Sequence, residues 1–166
     1  MNRLNIITIG SEQTQNLGSH IGKLSQGNDV YLLTGILGAG KTCLVQGIAF
    51  GLGIKEYTCS PSFMIAREYR GRLHLNHLDL YRLDNIEEIA DLGIEEYFNA
   101  ESVCAIEWAE KGGGILPVDN LNIHLEYISE NERKIMLEPH GRRYNDLLKQ
   151  LAHNLQGDDK GKWNFL

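Results

Sequence analysis

The apolar positions along the chain fall into two rhythms, short continuous runs and helical spacings. Leu4 to Ile9 is a six-residue apolar-rich run that predicts a first strand. Leu17, Ile21 and Leu24 recur at i, i+4 and i+7, the face of a helix that Ser11 would cap and Gly27-Asn28 would end. Val30 to Thr34 predicts a second strand leading into a glycine-rich turn, and Lys41 to Leu52 predicts a helix closed by Gly53. Gly47 and Gly51 inside that helix cost about 1 kcal/mol each relative to alanine. Close packing against a sheet is the expected reason.

Phe63 to Tyr69 and Leu73 to Leu80 flank Arg70-Gly71-Arg72 and predict an antiparallel hairpin. Asp84 to Leu92 reads as a short helix capped by Asp84, with a further turn over Glu95 to Ala100. Val103 to Ile106 is a buried-strand run, Gly112 to Gly114 a loop, and Leu121 to Ile128 and Lys134 to Glu138 alternate as strands. Arg142 to Leu155 predicts a final helix. The expected fold class is α/β: a three-layer, P-loop NTPase-like arrangement with a mixed, mostly parallel central sheet, flanking helices and an antiparallel hairpin. The expected domain spans 1–155, with a flexible tail at 156–166.

Composition narrows the class. The chain has 166 residues, 42% of them apolar, and 16 Lys plus Arg against 22 Asp plus Glu give a net charge of −6. That size buries a core without disulfide or metal. The acidic balance argues against gripping a polyanion, so DNA is not an expected partner and RNA is expected only through another protein. Three separated cysteines without a C-x-x-C pair suit reduced thiols, and the expected location is cytoplasmic. No run approaches the 18 apolar residues of a membrane helix, so no membrane partner is expected.

The candidate chemistry centres on Gly35-Ile36-Leu37-Gly38-Ala39-Gly40-Lys41-Thr42, which satisfies G-x-x-x-x-G-K-[ST] between a predicted strand and a predicted helix. Glycines let the backbone curl until successive N–H groups face a phosphate, and the helix adds its unsatisfied donors and positive end. Gly35, Gly38, Ala39, Gly40, Lys41, Thr42 and Cys43 form the expected nucleotide cradle. Lys41 would reach the β- and γ-phosphates, and Thr42 would place its hydroxyl on Mg²⁺. Such a loop needs an acid near the metal. Glu107, at the end of Val103 to Ile106, and Asp79, at the end of Leu73 to Leu80, are the candidates. Trp108 could stack on adenine or fill the core, and His77 could orient Asp79. Arg67, Arg70, Arg72 and Arg82 could contact phosphate or remain solvated edge charges. The guanine-reading N-K-x-D pattern is absent, which leaves ATP as the expected nucleotide.

Added to that loop, Ser-Pro-Ser-Phe at 60–63, His-Leu-Asp-Leu-Tyr-Arg-Leu at 77–83, Leu-Gly-Ile-Glu-Glu-Tyr-Phe at 92–98 and Ile-Glu-Trp at 106–108 form an ordered set. Over about residues 4–150 the chain resembles the bacterial TsaE (YjeE) family, the small ATPase of tRNA threonylcarbamoyladenosine biosynthesis. The resemblance implies weak ATP hydrolysis alone and work with the TsaB and TsaD proteins, which hold the tRNA; TsaD transfers threonylcarbamoyl to N6 of adenosine 37. It implies Lys41 as phosphate contact, Thr42 and Glu107 as magnesium ligands, and Asp79 as a catalytic or metal-shell acid. It also implies an adenine-side role for Trp108 and a place near the base for Thr14. Ile36, Cys43 and Ser62 depart from the family pattern, where Asp or Glu, Thr and Thr are usual. The other readings of the same loop are a small-molecule kinase and a nucleotide-sensing module that does not hydrolyse.

Overall fold

A computed structural model of the chain describes residues 3–158 and 163–166. In chain order the described elements are β1 (Leu4–Ile9), α1 (Gly10–Leu24), β2 (Val30–Thr34), α2 (Lys41–Gly51), β3 (Ala66–Arg70) and β4 (His74–Asp79). They continue with α3 (Ile86–Asp91), β5 (Ser102–Glu107), β6 (Asn120–Tyr127), β7 (Glu132–His140), α4 (Arg142–Gln156) and β8 (Asn164–Phe165). The strands form one mixed α/β sheet in the order β3-β4-β5-β2-β6-β7-β1-β8. β4, β5, β2 and β6 run parallel at its centre, and the pairings beyond them are antiparallel.

Strand alternation sorts side chains between two cores. Tyr31, Leu33, Leu75, Val103, Ala105, Leu121, Ile123, Ile135 and Leu137 face α1, α2 and α4 and form the larger one. Val30, Leu32, Leu78, Cys104 and Ile106 point the other way, under α3 and the short turns around it. All six positions of β5 are buried, as expected for a central strand covered on both faces. Helices thus flank the sheet as the sequence pattern requires.

Several local expectations are corrected. Gly47 and Gly51 do pack closely, but against α1 rather than the sheet: a Cβ at Gly47 would lie 2.0 Å from the Gln15 carbonyl, and one at Gly51 2.2 Å from that of Ser19. Ser11 does not cap α1, which begins at Gly10 with Ile9 in the cap position and no side-chain cap bond. The cap of α3 is Asn85, whose side chain accepts from the Glu88 N–H at 2.9 Å, while the Asp84 N–H donates to the Glu88 carboxylate at 2.9 Å. Phe63 to Ile65 is turn rather than strand, because the N–H groups of Met64 and Ile65 both bond to the Pro61 carbonyl.

The described end of the expected flexible tail is also packed. Trp163 is buried in the larger core, and β8 pairs with β1 through Ile6↔Phe165 and Ile7↔Asn164. Eleven residues without periodicity hid this contact, since a two-residue strand has too few positions to show one. Residues 159–162 of that tail lie outside the described residues.

Candidate functional site

Backbone geometry at the carboxyl end of β2 follows from its glycines. Gly35 has φ +136° and Gly40 has φ +104°, in the left-handed half of the map that side chains avoid. A Cβ on Gly35 would also stand 2.4 Å from the Leu125 carbonyl of β6, so the loop leaves the sheet pressed against its neighbour. Gly40 then occupies the cap position of α2, and Lys41 and Thr42 open its first turn. The orphan N–H groups of that turn and the positive end of the helix point out of the same corner of the fold.

Parallel register brings the acids to this corner. Asp79 pairs with Glu107, and Leu33 with Glu107, so the last positions of β4 and β5 end level with the start of the loop. Both carboxylates are buried, on the sheet face that α2 covers. The Thr42 hydroxyl donates to Glu107 Oε1 at 2.8 Å. The same oxygen lies 2.8 Å from Nε2 of His77, whose ring is fully buried and whose Nδ1 has no partner among the described residues. His77 therefore orients Glu107, not Asp79: its neighbour across the sheet is Ala105, and its ring reaches along the strand face to the acid two positions further. Asp79 is held instead by the Ser60 hydroxyl and by the Tyr81 N–H at 2.9 Å.

Lys41 is buried. Its ammonium donates to the carbonyls of Gly35 at 2.5 Å and Ile36 at 3.0 Å and sits 4.0 Å from the centre of the Trp108 ring. Burial pushes the Lys41 pKa below its ordinary value, against the opposing pull of Glu107, Glu110 and Asp79. Trp108 has φ +58°, rare for an aromatic residue, and its ring leans on Tyr81 with centroids 4.9 Å apart.

The structure thus brings together Gly35, Gly38, Ala39, Gly40, Lys41, Thr42, Asp79, Glu107 and Trp108. Cys43 sits one residue deeper in α2 with its thiol 3.4 Å from the Ser11 carbonyl, and burial raises its pKa. Thr14 lies in the first turns of α1. It is buried, and its hydroxyl is engaged with Thr8 at 2.8 Å and the Gly10 carbonyl at 3.4 Å. Three of the four candidate arginines have partners within the fold: Arg72 bonds the carbonyls of Gly22, Lys23 and Ser25, Arg67 lies over the Tyr69 ring, and Arg82 lies over Phe63.

Sequence reasoning missed two members. Ser60 was visible within Ser-Pro-Ser-Phe, but nothing in the chain said that its hydroxyl, rather than that of Ser62, meets Asp79. Arg133 lies 94 residues from Ala39, yet its Nε donates to the Ala39 carbonyl at 3.1 Å. No spacing rule links them, since the contact exists only once β7 lies beside β6.

Thr42, Glu107 and Asp79 supply a hydroxyl and two carboxylates at the mouth of the loop, oxygen donors of the hard kind that Mg²⁺ takes with waters and phosphate oxygens. Among the described residues no helix is long and apolar enough to cross a membrane.

Comparison with known proteins gives the family. The family of the threonylcarbamoyl adenosine biosynthesis protein TsaE matches residues 9–135. The tRNA threonylcarbamoyladenosine biosynthesis protein TsaE of Treponema pallidum (strain Nichols) is 39% identical over 129 residues, covering 78% of this chain and 96% of the relative. Its namesake in Bacillus subtilis (strain 168) is 37% identical over 155 residues, 93% of this chain and 97% of the relative. The crystal structure of Bacillus subtilis YdiB superposes with a TM-score of 0.81 at 33% identity, over 93% of this chain and 97% of that one. With the loop, the level carboxylates and these relatives together, the chain belongs to the TsaE family of tRNA threonylcarbamoyladenosine biosynthesis proteins.

Proposed function

We propose that the chain binds Mg-ATP in the Gly35–Thr42 loop and hydrolyses it slowly. ATP turnover would support a complex with TsaB and TsaD that modifies N6 of adenosine 37 in tRNA. The observation that carries the reading is the Thr42–Glu107 bond at the mouth of a glycine loop, with Asp79 level beside it. In this reading Lys41 leaves the Gly35 and Ile36 carbonyls for phosphate oxygens, which offer the ammonium stronger, charge-assisted bonds. Glu107, with two donors on Oε1, is fixed in rotamer and held toward the metal shell or the attacking water. Asp79, fixed by Ser60 and Tyr81, carries a second charge at the same edge. Mg²⁺ would neutralise charge on the β- and γ-phosphate oxygens. Trp108, once Lys41 moves, presents an open ring face suited to adenine.

Dependence on a partner is supported by the rim. Ile36 and Leu37 in the loop and Phe63 and Met64 in the turn after Ser60 are each more than 60% exposed, apolar side chains that a partner could cover. The net charge of −6 fits a role in which another subunit holds the RNA.

Calorimetric titration of Mg-ATP, with turnover measured alone and with TsaB–TsaD, tests the reading. Lys41→Ala is expected to abolish binding while the fold persists. Glu107→Gln is expected to keep binding and lower turnover by about 10²–10⁴-fold. Unaltered ATP affinity in Lys41→Ala, or unaltered turnover in Glu107→Gln, would overturn it. Phosphate transfer to a small metabolite would favour a kinase instead.

A further inference from the structure

We infer that Arg133, far from the loop in sequence, is a positioning residue that sets the phosphate loop in its anion-accepting orientation. This rests on the phosphate-loop reading above and adds a residue to it.

The guanidinium reaches the loop at the carbonyls of Gly38 and Ala39. Arg133 Nε donates to the Ala39 carbonyl at 3.1 Å, and a terminal nitrogen lies 3.4 Å from that of Gly38. In a trans peptide the carbonyl and the following N–H point in opposite directions. Anchoring the Ala39 carbonyl on Arg133 therefore turns the Gly40 N–H away from Arg133, and anchoring that of Gly38 does the same for the Ala39 N–H. The Ala39 N–H closes the loop on the Ile36 carbonyl at 3.0 Å. The Gly40 amide, immediately before α2, is the one this contact leaves aimed with the first helical turn.

The loop needs such an anchor because its glycines make it soft. Gly38 and Gly40 at φ +79° and +104° permit the peptides around Ala39 to rotate at little cost, and a rotated peptide would present a carbonyl oxygen to the anion. Arg133 is itself rigid. Its other donors bond the carbonyls of Ser129 at 2.6 Å and Glu132 at 2.9 Å, it stacks 4.5 Å from the Tyr127 ring, and Tyr127 pairs with it across β6 and β7. The planar fork joins the β6–β7 turn to the loop in one plane, which a lysine's single ammonium cannot reproduce. Preorganised donors then bind phosphate without a reordering cost at the moment of binding.

The test uses the full chain, with Mg-ATP titrated by calorimetry, thermal melting, and amide hydrogen exchange of the nucleotide-free protein. Arg133→Ala and Arg133→Lys are expected to weaken Mg-ATP binding by about tenfold or more, with faster exchange at Gly40 and unchanged exchange in β2 and β5. Tyr127→Ala removes the stacked ring but keeps the carbonyl bonds, and is expected to weaken Mg-ATP binding less than Arg133→Ala does; an equal or larger loss would overturn the anchoring role of the carbonyl bonds. If Arg133→Ala does not fold, Arg133→Lys decides. Either folded variant binding Mg-ATP as tightly as wild type overturns the inference, whatever its stability. A wild-type chain that fails to bind Mg-ATP would overturn the phosphate-loop reading instead.

Discussion

At the scale of single residues, the site is organised by what holds its charges. Glu107 receives bonds from Thr42 and His77 on one oxygen, and His77 is fully buried, its second nitrogen without a partner among the described residues. A carboxylate only accepts, so Nε2 is the donor in the bond to Glu107. His77 thus acts on the reaction through Glu107. His77→Ala is expected to lower ATP turnover by about tenfold or more with nucleotide affinity unchanged, and His77→Gln, which keeps a donor, to recover part of it. Steady-state kinetics together with direct binding check this, and a fall in affinity equal to the fall in turnover would refute it. His77 stood out in the sequence, but its partner did not. Strand alternation puts His77, Asp79 and Glu107 on one face, and only the register and ring reach decide which acid it meets.

At the scale of elements, α1 and α2 pack with backbones in contact. Gly18 and Gly22 on α1 face Gly47 and Gly51 on α2 with no space for a Cβ: added atoms would lie 2.0–2.3 Å from carbonyl oxygens of the opposite helix. Backbone cannot move aside as a flexible side chain can, so Gly47→Ala is expected to cost about 3 kcal/mol or more despite the better helix propensity of alanine. Chemical denaturation checks this, and an unchanged midpoint would show that the helices separate freely. The same packing sets the start of α2, and with it Lys41 and Thr42, so a weaker Mg-ATP affinity should accompany the lost stability. The glycines were legible as a demand for close approach. Their partner was not, because helix periodicity marks a face without saying what lies against it.

At the scale of the whole molecule, the end of the sheet away from the loop carries its own polar cluster. Arg143 on α4 holds Asp29 at 2.9 and 2.6 Å, Tyr31 shares a bond with Ser25 at 2.7 Å, and the Tyr144 hydroxyl accepts from the Val30 N–H at 2.8 Å. These contacts join α1, α4 and β2. Burial, with Asp29 nearby, raises both phenols, Tyr144 to about 12 from 10.0. A folded-state pKa above the unfolded one gives stability that is complete below about pH 10 and lost as pH climbs through the folded value. The protein is therefore expected to lose stability between about pH 10 and 12. Denaturation at several pH values checks this, together with phenolate absorbance that appears only on unfolding for these two tyrosines. Full ionisation of every tyrosine in the folded state by pH 11 would contradict it.

Local chemistry determined most of the element order and the core of the site. The strand-loop-helix around residues 35–42, the acids closing two apolar strands and the final amphipathic helix are readable because each depends on neighbours within a few residues. Tertiary structure alone decided the rest: Ser60 on Asp79, His77 on Glu107, Arg133 behind Ala39, Thr14 turned toward Thr8, and Trp163 in the core. Each is a contact between segments whose separation along the chain bears no relation to their distance in space. A repeat of two or 3.6 residues records which face a side chain takes, and the sheet order then selects its neighbour.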